Sequence, residues 1–330
     1  MSDRQNPPSP PKVSILVPAW NEGKTVSSCI ESFFEIKYPN RELIVIAGGD
    51  DDTYEIANGY TDNNITVLKQ LPEGKNAALN LGLKSAKGEI IVLTDADCIM
   101  NAQWFDSIIK PIVEGGEGIV SGNNQPLRSQ LNNPFVLFQF SYTAAFKHEK
   151  NEKYLDGKNA ALKREILDEI GGFDEGALTG TDLSLKYILL DRGFKIRFVP
   201  ESVISTRYPD SKREYLKQRS RWLRNFIIHG KKHGDSNAVS VFFEQTIIGA
   251  TMILTPFFLA LFKPLIYPWT AVFLLAFYNR TRLIKTSRKT MPELKFNSIY
   301  PRLPLYIIVE YMAGFLSLLD YILPWRRRRW

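Results

Sequence analysis

The sequence has little cysteine and little histidine: two thiols, Cys29 and Cys98, and three imidazoles in 330 residues. With no C-x-x-C and no second pair, neither a disulfide framework nor a cysteine zinc site is available, and a reducing compartment is expected. An N-terminal apolar run is also missing. Met1 to Lys12 is polar and Pro-rich, so residues 1–11 read as a loose tail and not as a secretion signal. No internal repeat is visible. At 44% hydrophobic and 23% charged residues, the composition excludes disorder and collagen.

A net positive charge is missing from most of the chain. Residues 1–206 hold 21 Lys+Arg against 28 Asp+Glu, a charge of −7. Residues 207–233 hold 9 against 2, and the remainder 12 against 5, so each of these parts carries +7. A nucleic-acid binder spreads its basic footprint over the folded body. Here the basic residues lie beside apolar segments, which points to an anionic membrane surface and away from nucleic acid.

From Val13 onward, short apolar runs alternate with amphipathic stretches of helix length. The expected strands are 13–17, 42–46, 65–68, 89–94 and 118–121, and the expected helices 25–36, 53–60, 75–86 and 102–114. Strands apolar on both faces and separated by helices predict an α/β fold, a mostly parallel sheet with helices on both faces. Ligands of such sheets sit outside the carboxyl ends of the strands. The informative residues fall at those ends: Pro18-Ala19-Trp20-Asn21-Glu22, Ala47-Gly48-Gly49-Asp50-Asp51-Asp52 and Asp95-Ala96-Asp97.

After Phe198 the composition changes. Residues 211–228 predict a basic amphipathic helix with its apolar face in lipid, followed by a polar break at 229–237 and apolar stretches at 246–262, 264–278 and 303–325. A straight crossing needs ~20 apolar residues, so the first and third can span and the second is short. The basic cluster between Arg280 and Arg302, and Arg326 to Arg329, should both face the cytoplasm. One stretch should then fail to cross. The third is expected to be that one, because Glu310 and Asp320 are costly in hydrocarbon. The expected domains are the tail at 1–11, an α/β body at 12–206, an interface helix at 207–237 and a membrane region at 238–330.

Several residues carry chemical possibilities. Asp95 and Asp97 end a strand, where period-two geometry would put both carboxylates on one side. Two hard oxygen ligands suit Mg²⁺ or Mn²⁺ that also takes diphosphate oxygens, although a polar strand-end loop would look the same. Lys75 opens a helix, where it could meet phosphate or simply be solvated. Asp50, Asp51 and Asp52 crowd after two glycines; Asp52 reads as a helix cap, and the group could also serve a cation or sugar hydroxyls. Asp182 heads a helix and is either a structural carboxylate or a proton acceptor for an attacking hydroxyl. Gln218, Arg221 and Trp222 project from one helix face. Arg can clamp diphosphate and Trp can stack on a sugar, or both can anchor the helix at a membrane surface. His229 and His233 read as a hydrated turn.

In that order, Pro18 to Glu22, Gly74-Lys75 to Asn80, Asp95-Ala96-Asp97, Gly171-Gly172-Phe173-Asp174, Thr181-Asp182 and Gln218-Arg219-Ser220-Arg221-Trp222 make residues 12–225 resemble glycosyltransferase family 2. The D-x-D…D…Q-x-x-R-W set is similar to the branch holding cellulose, chitin and hyaluronan synthases and ceramide glucosyltransferases. The resemblance implies a GT-A fold, a nucleotide-sugar donor (a UDP-sugar first) and inversion at the anomeric carbon. It implies donor binding by Pro18, Ala19, Asn21, Glu22, Asp50, Lys75, Asp95, Asp97, Gln218 and Arg221, a metal at Asp95 and Asp97, Asp182 as base and Trp222 at the acceptor. Two departures stand out. Family members commonly carry Asp-Asp-Gly-Ser after the second strand, the second Asp helping to bind the base, where this chain has Ala47-Gly48-Gly49-Asp50. The usual Glu-Asp pair at the base is Thr181-Asp182.

The function expected is a membrane-bound, metal-dependent, inverting hexosyltransferase with its catalytic domain facing the cytoplasm, acting on a lipid-linked or membrane-proximal hydroxyl. A processive polysaccharide synthase acting as an oligomer stays open, as does a non-catalytic scaffold that binds sugar nucleotide at the membrane.

Overall fold

In the computed structural model, residues 10–145, 154–177, 179–259 and 261–323 are described; most of the expected tail and Arg326 to Arg329 lie outside them. The expected alternation forms as strands β1 (Val13–Trp20), β2 (Arg41–Gly48), β3 (Ile65–Lys69) and β4 (Ile90–Leu93), interleaved with helices α1 (Val26–Phe33), α2 (Thr53–Asn58) and α3 (Lys75–Ser85). Then follow β5 (Cys98–Ile99), α4 (Ala102–Val113), β6 (Ile119–Pro126), α5 (Pro134–Ala145), β7 (Ala160–Lys163), α6 (Arg164–Ile170), α7 (Thr181–Asp191) and β8 (Arg197–Thr206). Four helices complete the described chain: α8 (Lys212–His233), α9 (Ser236–Phe258), α10 (Ile266–Thr290) and α11 (Leu303–Ile322).

The eight strands form one sheet in the order β3-β2-β1-β4-β7-β6-β8-β5. Alternation along β1 explains its two covered faces. Val13, Ile15 and Val17 pack with Ile30 and Phe33 of α1 and Trp104 and Ile108 of α4. Leu16 faces the other way, with Leu79 and Leu83 of α3 and Leu185 and Leu189 of α7. The β1–β2, β2–β3 and β1–β4 pairs are parallel as expected. Beyond β4 the direction changes: β4–β7, β6–β7 and β5–β8 are antiparallel, so the sheet is mixed. Ala160, Ala161 and Leu162 of β7 are wholly buried, and a strand covered on both faces reads the same from sequence in either direction.

The chain divides into two compact units. The first takes the described residues up to Gln125 and those from Tyr154 to Thr206; the second takes Pro126 to Ala145 and those from Arg207 onward. The second unit is helical. Phe135 and Phe138 of α5 pack there with Tyr215 of α8, Ile284 of α10, and Tyr306 and Ile307 of α11. Inside this cluster Arg280 Nε donates to Glu310 Oε2 at 2.9 Å, and Nη2 donates to Oε1. The guanidinium also lies 4.3 Å from the Phe138 ring centre.

Two expectations change here. Helix α8 runs on to His233, since Lys231, Lys232 and His233 suit a helix C-terminus. The polar break therefore shrinks, and Asp235 caps α9 by accepting from the Ala238 N–H at 3.0 Å. The apolar face of α8 is covered by protein instead of lying in lipid: Leu223 and Ile227 are fully buried with Phe242 of α9 and Tyr321 of α11. On length and apolarity the first and third apolar stretches are the ones that qualify, as expected. Ser236–Phe258 and Phe296–Ile322 are the two described segments long and apolar enough to cross a membrane. Glu310 is paired with Arg280, and Asp320 accepts from Ser220 Oγ at 3.1 Å, so neither carboxylate stands alone.

Helices α9 and α11 cross backbone to backbone. A Cβ at Gly249 would stand 2.2 Å from the Tyr311 carbonyl oxygen, and one at Gly314 2.1 Å from that of Gln245. Alanine normally stabilises a helix interior by about 1 kcal/mol over glycine. Here Gly314→Ala should instead destabilise by roughly 1–3 kcal/mol through overpacking, read as a lowered melting temperature in mild detergent. A raised melting temperature would refute the crossing.

Candidate functional site

At the carboxyl edge of the sheet, β1 ends at Trp20, paired with Gly48 of β2. The chain then turns through Asn21, which has φ 57°, a left-handed conformation that asparagine tolerates better than most residues. Asn21 holds the neighbouring loop twice. Its N–H donates to the Gly48 carbonyl at 3.1 Å, and its Oδ1 accepts from the Asp50 N–H at 2.7 Å. The next residue, Glu22, donates its N–H to Thr53 Oγ1 at 2.7 Å. Pro18 and Ala19 are the inner part of this segment, Ala19 fully buried.

The acidic run divides its tasks differently from expectation. Asp52 stands at the start of α2 but makes no side-chain cap. Asp51 instead accepts from the N–H groups of Gly23 and Thr53, each at 3.1 Å. Asp50 is exposed.

Asp95 and Asp97 lie just past β4, which closes at Leu93. They sit in a turn, so strand periodicity does not set their direction. Lys75 Nζ, at the first position of α3, is ion-paired with Asp95 Oδ1. Burial raises the Asp97 pKa, and the Asp95 charge raises it further; Lys158 and the Thr206 hydroxyl, 3.1 Å from Asp97 Oδ1, act against this. Helix α3 also anchors the Gly-Gly-Phe-Asp loop. Asn80 Nδ2 donates to the Phe173 carbonyl at 2.9 Å and its Oδ1 accepts from the Phe173 N–H at 2.8 Å, while Asn76 Nδ2 donates to the Asp174 carbonyl at 2.6 Å.

Sequence reasoning missed Asp156-Gly157-Lys158-Asn159. Because β7 is antiparallel to β4, with Ala160 opposite Leu93, the start of β7 arrives where β4 ends. A parallel reading would have sent this segment to the far edge. Lys158 Nζ lies 3.7 Å from Asp156 Oδ1. Its burial alone would discharge it, but Asp156, Asp95 and Asp97 outweigh that penalty and raise its pKa. Asp156 is itself held by Asn124 Nδ2 at 2.6 Å and by the Tyr154 hydroxyl at 3.3 Å. Asn159 is fixed by Trp104 Nε1, which donates to its Oδ1 at 2.8 Å. The available signal was a polar Asp-Gly-Lys-Asn turn directly before an apolar run.

Asp182 occupies the first turn of α7, and its Cβ lies 3.2 Å from where a side chain on Gly157 would begin. The structure therefore brings Asp182 beside the segment whose next residue, Lys158, interacts electrostatically with Asp95 and Asp97. Gln218, Arg221 and Trp222 belong to α8 in the second unit, Gln218 half-buried and the other two exposed.

Among the described residues, no three His, Cys, Asp or Glu side chains gather as a metal-ligand cluster. Asp95 and Asp97 are nevertheless an adjacent, partly buried pair whose mutual repulsion a cation relieves. A divalent ion fits there with its other ligands coming from substrate oxygens and water.

Comparison with known proteins agrees with this architecture. The family described as Glycosyltransferase like family 2 matches residues 10–225. A probable glycosyltransferase, YdaM of Bacillus subtilis, is 26% identical over 243 residues, 67% of this chain and 56% of its own. Glycosyltransferase AglE of Haloferax volcanii is 24% identical over 58% of this chain and 66% of its own. Poly-beta-1,6-N-acetyl-D-glucosamine synthase of Staphylococcus aureus is 25% identical over 64% of this chain and 53% of its own. The chain thus spans between about half and two thirds of these curated relatives. Among solved structures, a Pyrobaculum calidifontis mannosyltransferase in complex with GDP-Man and Mn²⁺ superposes with a TM-score of 0.57 at 21% identity, covering 95% of this chain and 88% of that one; this likeness establishes a GT-A-like fold.

The Asn21 turn gives a stability test. Asn21→Ala keeps the strained backbone and removes the bond to Asp50, so it should cost roughly 1–3 kcal/mol in denaturant unfolding. Asn21→Gly, which relieves the backbone, should cost less. Equal losses would mean that the left-handed conformation is not populated.

Proposed function

The chain belongs to the glycosyltransferase-like family 2, and from that membership we propose that it is a membrane-associated enzyme transferring a sugar from a nucleoside diphosphate sugar to a hydroxyl acceptor, with inversion at the anomeric carbon. The observation that carries this reading is the placement of Asp182 against Gly157, one residue from a half-buried lysine that feels the charges of Asp95 and Asp97. A proton acceptor and a charge-holding group then stand in one neighbourhood of the first unit.

In this mechanism the Asp182 carboxylate takes the acceptor's hydroxyl proton as that oxygen bonds to the anomeric carbon. The bond from the anomeric carbon to the diphosphate oxygen breaks on the opposite face, and its electron pair leaves with the nucleoside diphosphate. Lys158 and Lys75 supply positive charge where that leaving group gathers negative charge. Mg²⁺ or Mn²⁺ would be held by Asp95 and Asp97 and would neutralise phosphate oxygens. Pro18, Ala19, Asn21, Glu22 and Asp50 line the nucleoside side, with a UDP-sugar the first donor to test. By motif order, Gln218 and Arg221 are assigned to the donor and Trp222 to the acceptor. The domain roles follow: 12–206 as catalytic body, 207–237 as the helix carrying Q-x-x-R-W, and 238–330 as membrane region. The basic half of α10, with Arg282, Lys285, Arg288 and Lys289, favours a cytoplasmic catalytic face. A lipid-linked or membrane-proximal alcohol is the acceptor we favour. The similarity to a polysaccharide synthase keeps the processive reading as second, and long polymer made by the reconstituted protein would select it.

Asp182→Asn should bind nucleoside diphosphate as the wild type does, by calorimetry, and lose transfer by roughly 10²–10⁴-fold. Unchanged turnover would remove Asp182 from the mechanism. Lys158→Met should lower kcat by roughly 10–100-fold, with a smaller loss in Lys158→Arg; a rise in KM at constant kcat would instead make Lys158 a ground-state contact only.

A further inference from the structure

The order β3-β2-β1-β4-β7 sets a row of strand ends along one edge of the first unit: Gln70 past β3, Gly48 closing β2, Trp20 and Asn21 at β1, Asp95 to Asp97 past β4, and Asp156 to Lys158 before β7. Resting on the reading just given, the diphosphate belongs at Asp95 and Asp97 and the transferred sugar on the Asp182 side. The nucleoside then has one direction to run, over β1 toward β2 and β3. Two or three strand spacings, roughly 10–14 Å, separate the phosphates from Gln70.

At that far end a side chain on position 48 has no room. A Cβ on Gly48 would stand 2.6 Å from the Gln70 carbonyl oxygen, 3.0 Å from Gln70 Cβ and 3.2 Å from the Trp20 ring. Backbone bonding fixes this closeness, since Gln70 N–H donates to the Ala47 carbonyl at 2.7 Å. An acidic residue at 48 is therefore sterically excluded, and the polar side chain left beside it is that of Gln70. Gln70 is only 7% exposed, and its Oε1 is buried with no hydrogen-bond partner among the described residues. Native proteins seldom leave such an oxygen unmet. The terminal amide torsion is soft, so a small turn presents the oxygen to a donor arriving at the edge.

We propose that Gln70 is the base-reading residue of the donor site, its Oε1 accepting an N–H from the nucleobase where the packing around Gly48 leaves no space for a carboxylate. A carboxamide carries an acceptor and a donor side by side, whereas a carboxylate only accepts. A base edge with an N–H next to a ring or exocyclic acceptor matches the amide on both counts, so the site distinguishes a base from no base without using charge.

The experiment compares dissociation constants of the full-length wild type and Gln70→Leu for UDP, GDP, CDP, ADP and ribose 5-diphosphate, which lacks a base. The wild type should bind one or more of the nucleotides more tightly than ribose 5-diphosphate. Gln70→Leu should weaken the preferred nucleotide roughly 10–100-fold and leave ribose 5-diphosphate unchanged, which also shows that the variant is folded. Unchanged nucleotide affinity in Gln70→Leu, or a wild type that binds ribose 5-diphosphate as tightly as every nucleotide, overturns the proposal while the glycosyl-transfer reading stands. A wild type that binds none of the five overturns that reading and this proposal with it.

Discussion

Two partly buried carboxylates a single residue apart repel one another, and a positive partner relieves that repulsion. Asp95 and Asp97 meet that constraint with lysines from two different elements, Lys75 at the head of α3 and Lys158 before β7. Much of the first unit's edge exists to deliver those two ammonium groups. The asparagines of α3 tie that helix to the Gly-Gly-Phe-Asp loop. Asn159 is clamped by Trp104 from α4, and Asp156 is held by Asn124 and Tyr154. This charge balance also prepares the site for an anion of high charge density: a diphosphate arriving there finds lysines already held in place by ion pairs, so little rearrangement is left for the moment of reaction.

The parallel half of the sheet was legible in the sequence, because doubly apolar strands separated by amphipathic helices have one economical arrangement. The other half was not. Beyond β4, strand direction depends on where the chain returns from, and the return passes through α5, whose partners belong to the second unit. Runs such as Ala160 to Leu162 carry no mark of direction. That single ambiguity hid Lys158 and Asn159, while Asp95 and Asp97, just past β4, and Asp182, at the head of α7, stood out as candidates in the sequence. The acidic run at 50–52 was noticed, but its division of labour was not, because Asx-type bonding depends on torsions that sequence does not report.

In the second unit, Arg280 and Glu310 show why counting charges along a segment misjudges it. Glu310 alone argued against placing 303–325 in hydrocarbon. With Arg280 supplied by α10 and the Phe138 ring against the guanidinium, the charge is matched inside the helical cluster. Apolar side chains such as Ile247, Phe257 and Leu261 remain outward and exposed. Polar inside and apolar outside is the arrangement expected of helices that face lipid.

The excursion of the chain through α5 has a consequence for anyone wishing to handle the first unit alone. Cutting after Thr206 removes α8 to α11 but leaves α5 covalently inserted between β6 and β7. Phe135, Phe138 and Phe140 would then lose the residues that cover them and become an exposed apolar appendage on the first unit. Excision requires two edits, a terminus after β8 and a short bridge replacing the segment between Gln125 and Tyr154. The two units share one polypeptide in the manner of a domain insertion, and neither can be inherited, lost or exchanged by a single breakpoint.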